Sequence, residues 1–68
     1  MGYSIKSRDI IKRLERDGWR LVRVTGDHHT FVKEGVDTLV TVPHPKRDLP
    51  IGTLRAIFRQ AGWSWPPR

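Results

Sequence analysis

Residues 20–42 read RLVRVTGDHHTFVKEGVDTLVTV, and this stretch decides the fold. Within it Arg20-Leu21-Val22-Arg23-Val24, His29-Thr30-Phe31-Val32-Lys33 and Thr38-Leu39-Val40-Thr41-Val42 are short runs rich in β-branched and aromatic residues, patterned at a period of two. Three strands are predicted, over 20–24, 29–33 and 38–42. Thr25-Gly26-Asp27 and Glu34-Gly35-Val36-Asp37 supply the turns, and connections this short force antiparallel neighbours in a meander. Pro43 cannot donate to a ladder and ends the third strand, while Pro45 keeps His44 extended.

On either side of this stretch the period becomes helical. Residues 8–17 are predicted to form a helix, with Ser7 as N-cap, Asp9 in the first turn where the helix dipole favours negative charge, and Gly18 just past the end. Ile10, Ile11 and Leu14 share one face, and Arg8, Lys12, Arg13 and Arg16 share the other. A second helix follows Pro50, whose missing N–H suits a first turn, and stops at Gly62. Ile51, Leu54, Ile57, Phe58 and Ala61 form its apolar arc, and Trp63 is placed to fold back on its last turn. The order is αβββα, an α+β fold in which a three-stranded antiparallel sheet takes both helices on one face and leaves the other open. Double-stranded-RNA-binding domains have this order, as do unrelated small proteins, so order alone gives no function. The domain is expected over 6–63, with 1–5 as a lead-in and 64–68, including Pro66-Pro67, as a tail.

Composition narrows the classes of function. Sixty-eight residues suffice for one small domain with a thin core and little room for an internal ligand cavity. The absence of cysteine excludes disulfides, thiolate metal sites and cysteine nucleophiles. No apolar run approaches the roughly 20 residues that span a bilayer, and no secretory signal pattern opens the chain, so a soluble cytoplasmic protein is expected. Thirteen Lys and Arg against seven Asp and Glu give a formal charge of +6, suited to a partner rich in phosphate.

The side chains suited to chemistry are those of Gly26-Asp27-His28-His29 and His44, with the surrounding Lys and Arg. Imidazole both takes and gives a proton near neutral pH. His28 and His29 are adjacent, so within a strand they point to opposite faces and at most one addresses a given substrate atom. A metal site is disfavoured because no H-x-x-x-H or H-E-x-x-H pattern occurs and strand neighbours diverge. Ser4, Ser7 and Ser64 lie in no nucleophile-elbow pattern, which leaves Ser-His-Asp hydrolysis without support. RNA brings its own nucleophile, the ribose 2′-OH, so its cleavage asks only for a proton-transfer group and cations to hold developing negative charge. A turn histidine that merely hydrogen-bonds the backbone fits the same residues.

A more specific signal lies in the combination and order of motifs. Gly26-Asp27-His28-His29 follows the first strand, Val42-Pro43-His44-Pro45 follows the third, and Gly52-Thr53-Leu54-Arg55-Ala56-Ile57-Phe58-Arg59-Gln60-Ala61-Gly62 forms the last helix. With Lys6-Ser7-Arg8-Asp9-Ile10-Ile11-Lys12-Arg13-Leu14-Glu15 and Gly18-Trp19 at the start, this set resembles the HicA-type, or YcfA-like, mRNA interferase toxins of bacterial and archaeal toxin–antitoxin pairs. The resemblance implies a double-stranded-RNA-binding-like fold, ribosome-independent cleavage of mRNA, and inhibition by a HicB-type antitoxin that covers the active histidine; the RNA chemistry above asks for no metal or other cofactor. The last residue of the family's G-S-x-H motif maps onto His29, which makes His29 the expected catalytic residue. The chain departs from that motif at Asp27, where the family usually has serine. His28, His44, Arg23, Lys33, Lys46 and Arg47 are the expected substrate contacts. A non-catalytic RNA-binding module of the same fold is the alternative.

Overall fold

The computed structural model of the chain describes residues 5–67; Met1 to Ser4 of the expected lead-in and Arg68 lie outside the described residues. The elements are α1 (Ser7–Arg16), β1 (Arg20–Thr25), β2 (His28–Val32), β3 (Val40–Pro43) and α2 (Ile51–Ala61). The strands form one antiparallel sheet in the order β1-β2-β3, as the meander requires. Each of the two helices ends in a glycine turn that satisfies its last carbonyls. After α1, Gly18 has φ 95°, with Gly18 N–H bonded to Glu15 O and Trp19 N–H to Leu14 O. After α2, Gly62 has φ 75°, and the N–H groups of Gly62 and Trp63 bond Arg59 O and Phe58 O. Both are Schellman motifs, and in both the residue after glycine is a tryptophan that turns back toward the core.

Register decides which face is buried. Phe31 pairs with Val40 and His29 with Val42, so these four side chains share one face of the sheet. Ile10 and Leu14 of α1 and Leu54, Ile57 and Phe58 of α2 close on that face, with Trp19 and Leu49 filling the ends. Both helices lie toward β3, so β1 is exposed along its length, and Leu21 and Val24 stay open although their partners Phe31 and His29 are not. No helix among the described residues is long and apolar enough to cross a membrane.

Several boundaries differ from the sequence expectation for identifiable reasons. The second strand starts at His28 and ends at Val32, because Lys33 O accepts the Val36 N–H and begins the turn. The third is shorter than 38–42: Thr38 donates its hydroxyl to Gln60 O on α2 and lies outside the strand. Ser7 is not the N-cap of α1, which is Lys6, without a side-chain cap bond; Ser7 is the first helical residue and its hydroxyl is engaged elsewhere. Ile51 opens α2 at 65% exposure, beyond the reach of the sheet. Ile5, expected in the lead-in, accepts the Leu49 N–H, and Trp65 of the expected tail packs edge-on against Phe58 at 5.3 Å.

Asp17, the C-cap of α1, links three elements. Its Oδ2 accepts the indole N–H of Trp63 at 3.1 Å and of Trp19 at 3.3 Å, and its Oδ1 lies 3.6 Å from Lys33 Nζ. The Trp63 hydrogen bond, helped by Lys33 and Trp19, holds the carboxyl below the ordinary aspartate range. A depressed carboxyl stabilises the fold above its unfolded-state pKa, and that contribution is lost as pH falls through the folded-state value. Acidification from about pH 5 is therefore expected to lower the thermal midpoint of the wild type more than that of Asp17→Asn, which starts lower at pH 7. Parallel pH dependences of the two midpoints would remove Asp17 from this account.

Candidate active site

The β1–β2 hairpin positions the first two histidines. Thr25 pairs with His28 across the two-residue turn Gly26-Asp27. Gly26 has φ 59° and Asp27 a negative φ, the sign pattern of a type II′ turn, which accepts the strands' twist. His28 and His29 both lie in β2 and therefore point to opposite faces. His29 shares the helix-covered face with Val42 and Phe31, and is half-buried rather than sealed. His28 is exposed on the open face, where it borders a shallow hollow with Arg23, Thr25, Thr30 and Thr41. The Asp27 carboxylate lies 3.9 Å from His28 Nε2, so it faces the open-side histidine.

The third histidine arrives from the loop after β3. His44 N–H donates to Asp27 O at 2.7 Å, which ties that loop to the hairpin turn. The rings of His29 and His44 then meet edge to face, 5.0 Å between centroids at 89°. His29 Nδ1 is buried without a hydrogen-bond partner. His44 Nδ1, by contrast, lies 2.7 Å from the hydroxyl of Ser7, a residue only 1% exposed. That hydroxyl also accepts the Lys46 N–H at 2.8 Å, while Ser7 N–H donates to Lys46 O at 2.9 Å. The start of α1, the 43–49 loop and the hairpin turn are thereby drawn to one point.

Serine before an apolar periodic run is the usual N-cap signal, which predicts a capping role for Ser7. Its actual role depends on a partner 37 residues away, which no local pattern encodes. Beside this point opens a cleft of about 710 Å³ lined by Ser7 and His44 together with Lys6, Arg8, Lys46 and Arg47. Four cationic side chains against the single carboxylate of Asp48 around this opening favour a polyanion.

Of the expected substrate contacts, His44, Lys46 and Arg47 thus lie together at this cleft. Arg23 and His28 are on the opposite face of the sheet. Lys33 stands four residues beyond His29, about 13 Å along the strand direction, and its ammonium pairs with Asp17. Arg8, on the face of α1 that the helical period predicts to be solvated, lines the cleft. Among the described residues no group of three or more His, Cys, Asp or Glu is arranged to hold a metal ion.

Comparison with known proteins adds to this geometry. Residues 7–63 match the family model described as the HicA toxin of bacterial toxin–antitoxin systems. Among solved structures, the chain is similar to one from the HicA3 and HicB3 toxin-antitoxin complex, with 38% sequence identity and a TM-score of 0.73. That match covers 87% of this chain and 96% of the other. A comparison with curated proteins finds no match.

Proposed function

The chain belongs to the HicA toxin family of bacterial toxin–antitoxin systems, and from that premise we propose that it is a metal-independent mRNA endoribonuclease in which His29 transfers a proton. The observation that supports this reading is the half-buried His29 ring set edge to face with a second imidazole that lines a cationic cleft. Cleavage proceeds by attack of the ribose 2′-oxygen on the adjacent phosphorus. The 2′-hydroxyl gives up its proton, the new oxygen–phosphorus bond forms, the bond to the 5′-oxygen breaks, and that oxygen takes up a proton. The products are a 2′,3′-cyclic phosphate and a 5′-hydroxyl end. His29 moves one of the two protons, and Lys46 and Arg47 hold the phosphate backbone in the cleft.

Two expectations follow for the partner and the substrate. A HicB-type antitoxin would silence the enzyme by covering the cleft and His29, and its contact surface would be acidic to match the cations. DNA lacks the 2′-hydroxyl and would be held without being cut. Incubation of the purified protein with an unstructured RNA in EDTA is expected to give discrete fragments. RNA that shifts on a native gel with steep salt dependence yet stays intact would instead make the domain a binding module.

A further inference from the structure

We propose that Ser7 fixes His44 as an Nε2–H hydrogen-bond donor to a non-bridging phosphate oxygen of the RNA, so that His44 stabilises developing charge and His29 does the proton transfer. This inference rests on the endoribonuclease reading above. A serine hydroxyl has one proton to donate and two lone pairs to accept with. The Lys46 N–H already donates to Ser7 Oγ at 2.8 Å, and Ser7 is buried, away from water that could take its proton. His44 Nδ1 at 2.7 Å is the acceptor that this hydroxyl faces. Donation there satisfies both groups, whereas a proton on Nδ1 would place two donors on Ser7 Oγ and turn its own proton toward the interior, at the cost of an unmade buried hydrogen bond.

The neutral imidazole of His44 therefore carries its proton on Nε2. That atom is the ring's remaining hydrogen-bonding group, on a residue that lines the cationic cleft. A neutral N–H presented to a phosphate oxygen contributes as an oxyanion-hole donor does, because it is oriented before the charge develops. The surrounding structure is suited to holding it still. His44 is anchored by its own N–H on Asp27 O and by Ser7 at its ring, and Ser7 is anchored to Lys46 by a reciprocal pair of bonds. His29 has no such orienting partner at Nδ1, which sets the two rings apart in role. His44 is then a catalytic residue through the phosphate, and Ser7 a positioning residue that acts through His44.

The test has two arms. In the first, long-range proton–nitrogen spectra of the free wild-type protein are expected to show the His44 proton on Nε2. Ser7→Ala should scramble that tautomer and Ser7→Thr should preserve it; a proton on Nδ1 in the wild type overturns the proposal. Addition of a 2′-O-methyl RNA oligonucleotide, which cannot be cleaved, should shift the His44 Nε2 resonance, and an unmoved resonance in the bound state also overturns it. In the second arm, His44→Ala is expected to lower cleavage by about 10²–10³-fold, as loss of one oriented donor does. His44→Gln, which keeps an N–H donor near the Nε2 position, should stay within about 10-fold of the wild type with an unchanged pH profile. A glutamine variant as inactive as the alanine variant would mean that His44 transfers a proton. If the wild type cuts no RNA, the endoribonuclease reading fails, and the tautomer and the bound-state shift still decide the role of Ser7 and His44.

Discussion

Replacement of His29 by alanine is expected to lower the rate of RNA cleavage by about 10²–10⁴-fold, the range that a positioned acid or base contributes. The expectation follows from placement. His29 is the histidine that the β2 register turns to the helix-covered face, against the ring of His44, which lines the cleft, while His28 is turned to the open face with Arg23 and three threonines. His28→Ala should consequently leave most of the activity, since its ring borders neither His44 nor the cleft. Residual cutting by the His29 variant would come from the cations and the oriented phosphate, as it does when one member of a catalytic set is removed. His29→Gln, closer in volume to the imidazole, separates lost chemistry from lost packing: it should be as inactive as His29→Ala and closer to the wild type in thermal midpoint. The measurement is single-turnover cleavage of a labelled RNA in EDTA, with circular dichroism to establish that each variant is folded. Undiminished cleavage by His29→Ala would exclude the assignment.

The elements and their order were legible in the sequence because each is specified by local chemistry. Gly18 and Gly62 sit where helix ends need a left-handed residue, Gly26 where a two-residue hairpin needs one, and Leu54, Ile57 and Phe58 recur at the helical period. The opposite orientation of His28 and His29 was legible for the same reason, since the strand period is two. What was not legible depends on which elements meet. Ser7 looks like a cap until the 43–49 loop comes to rest on it, and Lys33 looks like a phosphate ligand until Asp17 is placed beside it. Trp65 follows a helix stop and precedes two prolines, so sequence alone consigns it to a tail; the face of Phe58 that it covers exists only after α2 has docked.

Phe58→Ala is expected to remove about 3–5 kcal/mol, a large share of the domain's stability at 25 °C. A chain of 68 residues has about 3–10 kcal/mol of stability in total. Truncation of a buried phenylalanine costs about 3–5 kcal/mol through lost transfer energy and the cavity left behind. Phe58 is 1% exposed and is not a passive filler. Its ring takes Trp63 edge-on at 5.1 Å and Trp65 at 5.3 Å, with the Arg13 guanidinium 5.3 Å from its centre. Those contacts fasten α2 to the C-terminal end of α1 and to the segment after α2, and edge-to-face pairs contribute about 0.5–1.5 kcal/mol each beyond burial. Trp63 is also the donor to Asp17, so its displacement would release the α1 C-cap as well. The comparison variant is Ile51→Ala on the same helix, where 65% exposure predicts a change within about 0.5 kcal/mol. Urea titration of the two variants against the wild type tests the claim, and midpoints for Phe58→Ala and Ile51→Ala that lie together would show that the core is not organised around Phe58. Loss of RNA cleavage in Phe58→Ala should track the unfolded fraction, whereas the loss in His29→Ala should occur in a folded protein; that difference separates what holds the site from what works in it.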